Sequence, residues 1–228
     1  MNKVLAVAAV MLLAGVASAS VIVGGTAPTT NIYLSQTAEG DPINSNDVRY
    51  QATAYRTAGQ NFTATTSTIV DAITFKGQSE ARGNPLPMTL KVWELSSIYS
   101  DPYASGVLLG SESGSVAYTA DTAQYITFDL TTDISIVAGH VYGFEVVIDG
   151  PAASAKRYGD PGMLVSAADN PYVDGNPIRL ATTAPGAGAY NHSSDDVLDM
   201  VFYIQDVPEP ATLTVLGLGA LAMLRRRK

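Results

Sequence analysis

The chain has 228 residues and no cysteine, with 13 Lys and Arg against 21 Asp and Glu, for a formal net charge of −8. From Ser20 to Asp206 eight basic residues face twenty acidic ones, so the body alone is near −12. That balance argues against nucleic acid as a partner, since phosphate binding needs clustered cations, and the missing cysteines exclude a disulfide framework.

Residues 1–19 read as an address. Lys3 opens a positive start, Val4 to Val16 is apolar, and Ala17-Ser18-Ala19 is an A-x-A cleavage site. This is a secretory signal peptide, which predicts export through Sec and a mature chain beginning at Ser20. The body, residues 20–206, is long enough for one domain with a sizeable core.

From Val21 to Gln60, Ser, Thr, Asn and Gly punctuate short apolar pieces such as Ile32-Tyr33-Leu34, predicting one or two short strands. After Asn61 the pattern sharpens. Ile69 to Lys76, Leu90 to Leu95, Tyr125 to Leu130, Val141 to Ile148 and Leu198 to Ile204 alternate with period two in Val, Ile, Phe, Tyr and Thr, which is the strand signature. Turn clusters are expected at Gly77 to Pro87, Ser100 to Gly106, Gly110 to Ser115, Thr131-Thr132-Asp133 and Asp149-Gly150-Pro151. No long segment of the body has helical period. Many short strands with polar turns predict an all-β, antiparallel β-sandwich of jelly-roll type, flanked by an N-terminal signal helix and a C-terminal hydrophobic helix.

Between Gly150 and Asp196 lies a long polar stretch, with short strands expected near Met163-Leu164-Val165 or Ile178-Arg179-Leu180. Loops carry binding function more often than sheet cores do. Tyr158, Tyr172 and Tyr190 there, together with Trp93, the one tryptophan, are candidate rings for stacking on a sugar. Trp93 is out of phase with Leu90 and Val92, so it is either an outward ring or core between two covered faces. Asp169, Asn170, Asp174, Asn176, Asp195, Asp196 and Asp199 offer oxygen ligands for a candidate calcium site, although their spacing is not that of an EF-hand.

Catalytic signals are thin. The two histidines are His140 and His192, and neither a G-x-S-x-G elbow nor an H-E-x-x-H motif is present. A carboxylate pair for glycoside hydrolysis would draw on Glu94 and Glu145. The alternation turns Glu145 away from the Tyr142/Phe144/Val146/Ile148 face, predicting a solvated outer position.

The chain closes on residues 207–228. Pro208-Glu209-Pro210 is followed by an apolar run from Ala211 to Leu224 and then by Arg225-Arg226-Arg227-Lys228. The run has no polar face, as a helix in lipid would have none. Its fourteen residues reach about 21 Å as helix, short of the roughly 30 Å hydrocarbon core.

These three parts in this order resemble the PEP-CTERM sorting signal of exported bacterial proteins, a tail also described on some ice-binding proteins. The resemblance implies recognition by an exosortase, transient anchoring in the inner membrane, cleavage near Pro-Glu-Pro and a Gram-negative envelope that makes exopolysaccharide. The runs Ser135 to Asp149 and Asp199 to Ile204 are similar to late strands of jelly-roll carbohydrate-binding modules. The expected function is therefore that of a surface or matrix protein acting as a non-catalytic, polysaccharide-associated module. The alternatives are a secreted glycoside hydrolase or polysaccharide lyase on the same fold, and a passive structural surface protein.

Overall fold

The computed structural model describes residues 20–38, 56–78, 85–117, 119, 122–148, 162–163, 174–175, 177–181 and 199–207. They form eleven strands: β1 (Ser20–Gly24), β2 (Ile32–Gln36), β3 (Arg56–Thr63), β4 (Thr68–Gln78), β5 (Leu86–Leu95), β6 (Val107–Val116), β7 (Gln124–Ile136), β8 (Val141–Ile148), β9 (Gly162–Met163), β10 (Pro177–Ala181) and β11 (Phe202–Asp206). One four-residue helix, α1 (Pro102–Ser105), sits between β5 and β6. The expected signal helix and C-terminal helix lie outside the described residues.

Every pairing is antiparallel. One sheet runs β1-β7-β4-β11-β2, with β9 added to the end of β4; the other runs β10-β3-β8-β5-β6. The pairs β5·β6, β4·β7 and β3·β8 are nested in the sequence. They therefore form one long antiparallel ribbon wrapped so that successive segments alternate between the sheets. That wrapping is the jelly-roll principle, and the sheets form a sandwich with no closed barrel.

Alternation places one apolar set per strand between the sheets. Ile73 and Phe75 of β4, Ile126 and Phe128 of β7, and Phe202 and Ile204 of β11 meet Phe62 of β3, Met88 and Leu90 of β5, and Phe144 of β8. Phe144 and Phe202 bridge the layers with ring centroids 5.5 Å apart. One polar clasp crosses the same space. Gln60 Nε2 donates to Asp199 Oδ1 at 2.7 Å, Met200 N donates to Gln60 Oε1 at 3.1 Å, and Gln36 Nε2 donates to Met200 O at 3.3 Å. Buried polar groups are tolerated when bonded in this way.

Three turn expectations need revision. Gly110 to Ser115 is not a turn but part of β6. Its small residues lie under neighbours: a Cβ at Gly114 would collide with Val21, and one at Gly110 would meet Ile134. Thr131-Thr132-Asp133 lies inside β7. The pairing of β7 with β4 passes from Asp129↔Ala72 to Ile134↔Val70, so these turn formers make a bulge opposite Asp71 rather than an end. The Ser100 to Gly106 cluster does turn, but it contains α1. Asp101 caps that helix by accepting from Tyr103 N at 2.8 Å and Ala104 N at 3.3 Å, with Pro102 in its first turn. The tight β7–β8 turn depends on Gly139 at φ +80°, which costs glycine nothing.

Candidate functional site

Both outer faces of the sandwich carry chemistry, and they are finished differently. On the five-stranded sheet, Lys91 of β5 lies opposite Glu145 of β8, and Trp93 lies opposite Gly143. The segment between β5 and β6 folds over them through α1. Glu145 is 0 % exposed and Trp93 7 %. Trp93 Nε1 donates to Glu145 Oε1 at 3.1 Å, and Tyr103 Oη donates to the same oxygen at 2.6 Å. Lys91 Nζ donates to Tyr103 Oη at 3.1 Å and sits 5.0 Å from the Tyr103 ring centroid. The Trp93 and Tyr103 rings are 5.1 Å apart. Gly143 leaves room on this face for side chains of β3, β10 and β5, since a Cβ there would meet Asn61 Oδ1, Ile178 Cδ1 and Leu95 Cδ1 within 3.1 Å.

The electrostatics follow the geometry. Burial, then the charge and hydrogen bond of Glu145, then Asp101, push the Tyr103 hydroxyl far above the ordinary tyrosine range. It stays a donor at any physiological pH. A carboxylate sealed under two donors and a nearby ammonium can hold a lid segment in place. The expectation that Glu145 faces solvent is thus corrected: it does point away from the core, but α1 and Trp93 cover it. Trp93 is outward and covered, so it presents no open ring.

The six-stranded sheet is less covered. One residue per strand lines up across it: Ile22, Thr127, Thr74, Tyr203 and Ser35. Five strands set about 4.8 Å apart make this row about 19 Å wide. Ile22 is 56 % exposed and Ser35 is exposed, whereas Thr74 and Tyr203, at 8 %, are shielded by their neighbours. Thr74 Oγ1 lies 2.8 Å from Thr127 Oγ1 and 2.8 Å from Gln205 Oε1. Half-buried Tyr125 meets Tyr203 edge-on, with centroids 5.9 Å apart, and Lys76 Nζ lies 5.5 Å from the Tyr125 ring. Tyr125, Thr127, Gln205 and Lys76 stay partly exposed, so one ring, a hydroxyl, an amide and an ammonium share this face.

The other sequence candidates fall as follows. Asp174 is exposed and its main-chain oxygen accepts from Thr63 N and Oγ1, both at 3.2 Å. Asp199 is 1 % exposed and turned inward onto Gln60. Among the described residues no group of three or more His, Asp or Glu side chains is placed to hold a metal. Glu94 lies 2.7 Å from His140 Nδ1 at the rim, a set of contacts separate from that of Glu145. Tyr158, Tyr172, Tyr190, Asp169, Asn170, Asn176, Asp195, Asp196, Ala17 and Ala19 lie outside the described residues, as do Pro208, Glu209, Pro210, Arg225, Arg226 and Arg227. Ser20, the expected first mature residue, begins β1. The stretch that holds the three tyrosines is tied to the body by β9 on β4, by Asp174 on Thr63 and by β10 on β3. Sequence reading singled out neither Tyr125, Tyr203 nor Tyr103. Alternation turns the first two outward, but only the cross-strand register brings them together.

Fold and faces together define an all-β, two-sheet antiparallel sandwich with one covered and one less covered outer surface. Residues 206–228 match the PEP-CTERM protein-sorting motif. The signal implies export to the cell surface by way of an exosortase, with a membrane-anchored transient stage. The match covers the tail alone and is silent on what the sandwich does. No curated protein matches the chain. Among the described residues no helix is long and apolar enough to cross a membrane.

Proposed function

We propose that the protein is a non-catalytic, polysaccharide-associated module of the extracellular matrix or outer surface of a Gram-negative bacterium. Residues 1–19 take it through Sec, and the tail hands it to the exosortase. The sorting signal supports the location, and the outer face of the six-stranded sheet is the observation that carries the binding role. The binding surface in this reading is the outer face of the six-stranded sheet, around Tyr125, Thr127, Lys76 and Gln205. It is supported by the juxtaposition there of rings and hydrogen-bonding groups over five strands. The covered state of Glu145 supports a positioning role for that residue over a role in turnover.

The test is a pull-down of the mature protein with the host's own matrix polysaccharide, scored beside Tyr125→Ala. The expected result is retention of the wild type and loss of most binding in the variant. Absence of binding to any polymer overturns the reading in favour of a passive structural protein. Release of reducing or unsaturated sugar ends, abolished by Glu145→Gln, overturns it in favour of a hydrolase or lyase.

A further inference from the structure

Asp206 and Val207 serve both the sorting signal and the fold. The signal spans residues 206–228, yet Asp206 ends β11 and donates its N–H to Asn31 O at 3.0 Å. Val207 donates its N–H to Ile69 O at 2.9 Å. Asp206 Oδ2 also accepts from Thr68 Oγ1 at 3.2 Å. Asn31 holds φ 54°, a left-handed position that Asn tolerates better than most residues. Pro208 follows Val207 directly, so no spacer separates the signal from the sheet. β11 is no edge strand either, for it lies between β4 and β2 with Phe202 and Ile204 in the core.

Processing near Pro-Glu-Pro breaks one peptide bond. The body leaves with a new carboxyl end, passed to water or to an acceptor amine, and the tail keeps the new amine. An enzyme cleft commonly takes such a segment extended and pairs with its main-chain groups. A backbone N–H that is already paired in a sheet has no second proton to offer. The three residue steps from Val207 to Pro210 reach about 10 Å at full extension, no more than the spacing of the two sheets.

We propose that exosortase processing requires Asp206 and Val207 to leave Asn31, Ile69 and Thr68, so that the end of β11 is a latch between folding and sorting. Closing it keeps the two residues before the junction in the sheet, and opening it frees their main chain for the membrane enzyme. This inference rests on the sorting signal alone and is independent of any ligand of the sandwich.

The test follows full-length protein in a host with an active exosortase, by pulse-chase and intact mass. A six-residue Gly-Ser insertion between Val207 and Pro208 leaves the pairing of β11 intact and removes the need to open it. With each main-chain bond weighting the opening equilibrium on the order of fivefold, processing should quicken by about that factor or more. Thr68→Val, which leaves the signal untouched, should quicken it by a smaller factor. Thr68→Cys with Asp206→Cys, in a chain that has no other cysteine, holds residue 206 on residue 68 covalently and should stop processing. Reductant should then restore the rate of the Asp206→Cys single variant. An insertion variant processed at the wild-type rate or more slowly overturns the proposal, and that variant decides alone if the double-cysteine chain does not fold.

Discussion

Glu145 of β8 and Ile22 of β1 are both outward residues of a period-two strand, yet the carboxylate is 0 % exposed and the isoleucine 56 %. The polar side chain is sealed and the apolar one is in water. What differs is what lies above them. Over Glu145 the chain spends Ser96–Gly106, with α1 capped by Asp101, as a third layer that brings Tyr103 onto the sheet. Over Ile22, among the described residues, the sheet's own side chains are the surface. Alternation in sequence therefore sets which face a residue takes. Burial on the outer face is decided by insertions elsewhere in the chain.

The largest effects should come from the inner layer, which sets the scale for judging the outer one. Phe144→Ala removes a fully buried ring that touches Phe202 across the sandwich. Its expected cost in urea unfolding is about 3–5 kcal/mol. Glu145→Ala on the same strand takes the acceptor from Trp93 Nε1 and Tyr103 Oη. Buried Trp93 Nε1 and half-buried Tyr103 Oη lose their acceptor at about 1–3 kcal/mol each, so the expected loss is about 2–6 kcal/mol, comparable to that of a core ring. A cost near zero for Glu145→Ala would make the outer layer mere decoration, and the contrast between the two faces would dissolve.

Tyr103→Phe is milder, because it keeps the ring against Trp93 and loses one hydrogen bond, at about 1 kcal/mol. Its sharper signature is in pH. The folded protein holds the Tyr103 proton far more tightly than the unfolded chain, in which the group titrates near 10.0. Above that pH the unfolded state sheds a proton that the folded state keeps, so stability falls as pH rises. Urea midpoints taken from pH 8 to 11 should drop for the wild type and drop less for Tyr103→Phe. Parallel curves would show that the hydroxyl is not sealed.

Much of the sandwich was legible because β4, β5, β8 and β11 carry the alternation of apolar residues that an inner face needs. β3 was hidden, because Arg56–Thr63 holds Thr, Ala, Gly, Gln and Asn where a core strand would show branched or aromatic residues. Its inward Gln60 is satisfied by Asp199 and Met200, partners from the far end of the chain that no local pattern reveals. β6 was hidden for a related reason, since its glycines fit under Val21 and Ile134 rather than forming turns. The tail was the clearest feature, because its hydrophobicity and charge are local in sequence and need no fold to be read. The candidate faces were the least clear. Trp93 was visible as out of phase, but its cover depends on Tyr103, and the Tyr125–Tyr203 pair depends on β7 and β11, which are distant in sequence and meet only across β4.

The smallest effect tests the less covered sheet. Asp71 stands opposite the bulge in β7, and burial, with Asp133, Asp129 and Asp206 around it, raises its carboxyl above the usual value of 3.8. Here the folded state binds the proton more tightly than the unfolded chain does. Stability should therefore rise as pH falls from neutral through the raised value, and the penalty of the charged form should be fully present at pH 7. Asp71→Asn removes that penalty. It should raise Tm at pH 7 by less than about 3 °C and leave it unchanged at low pH, where Asp71 is already neutral. A variant that lowers Tm at pH 7 would mean that the backbone hydrogen bond to the Asp71 carboxylate, which opposes the shift, outweighs burial and the neighbouring carboxylates. The less covered face would then share the carboxylate-anchored design of Glu145, and the contrast between the two faces would narrow to exposure alone.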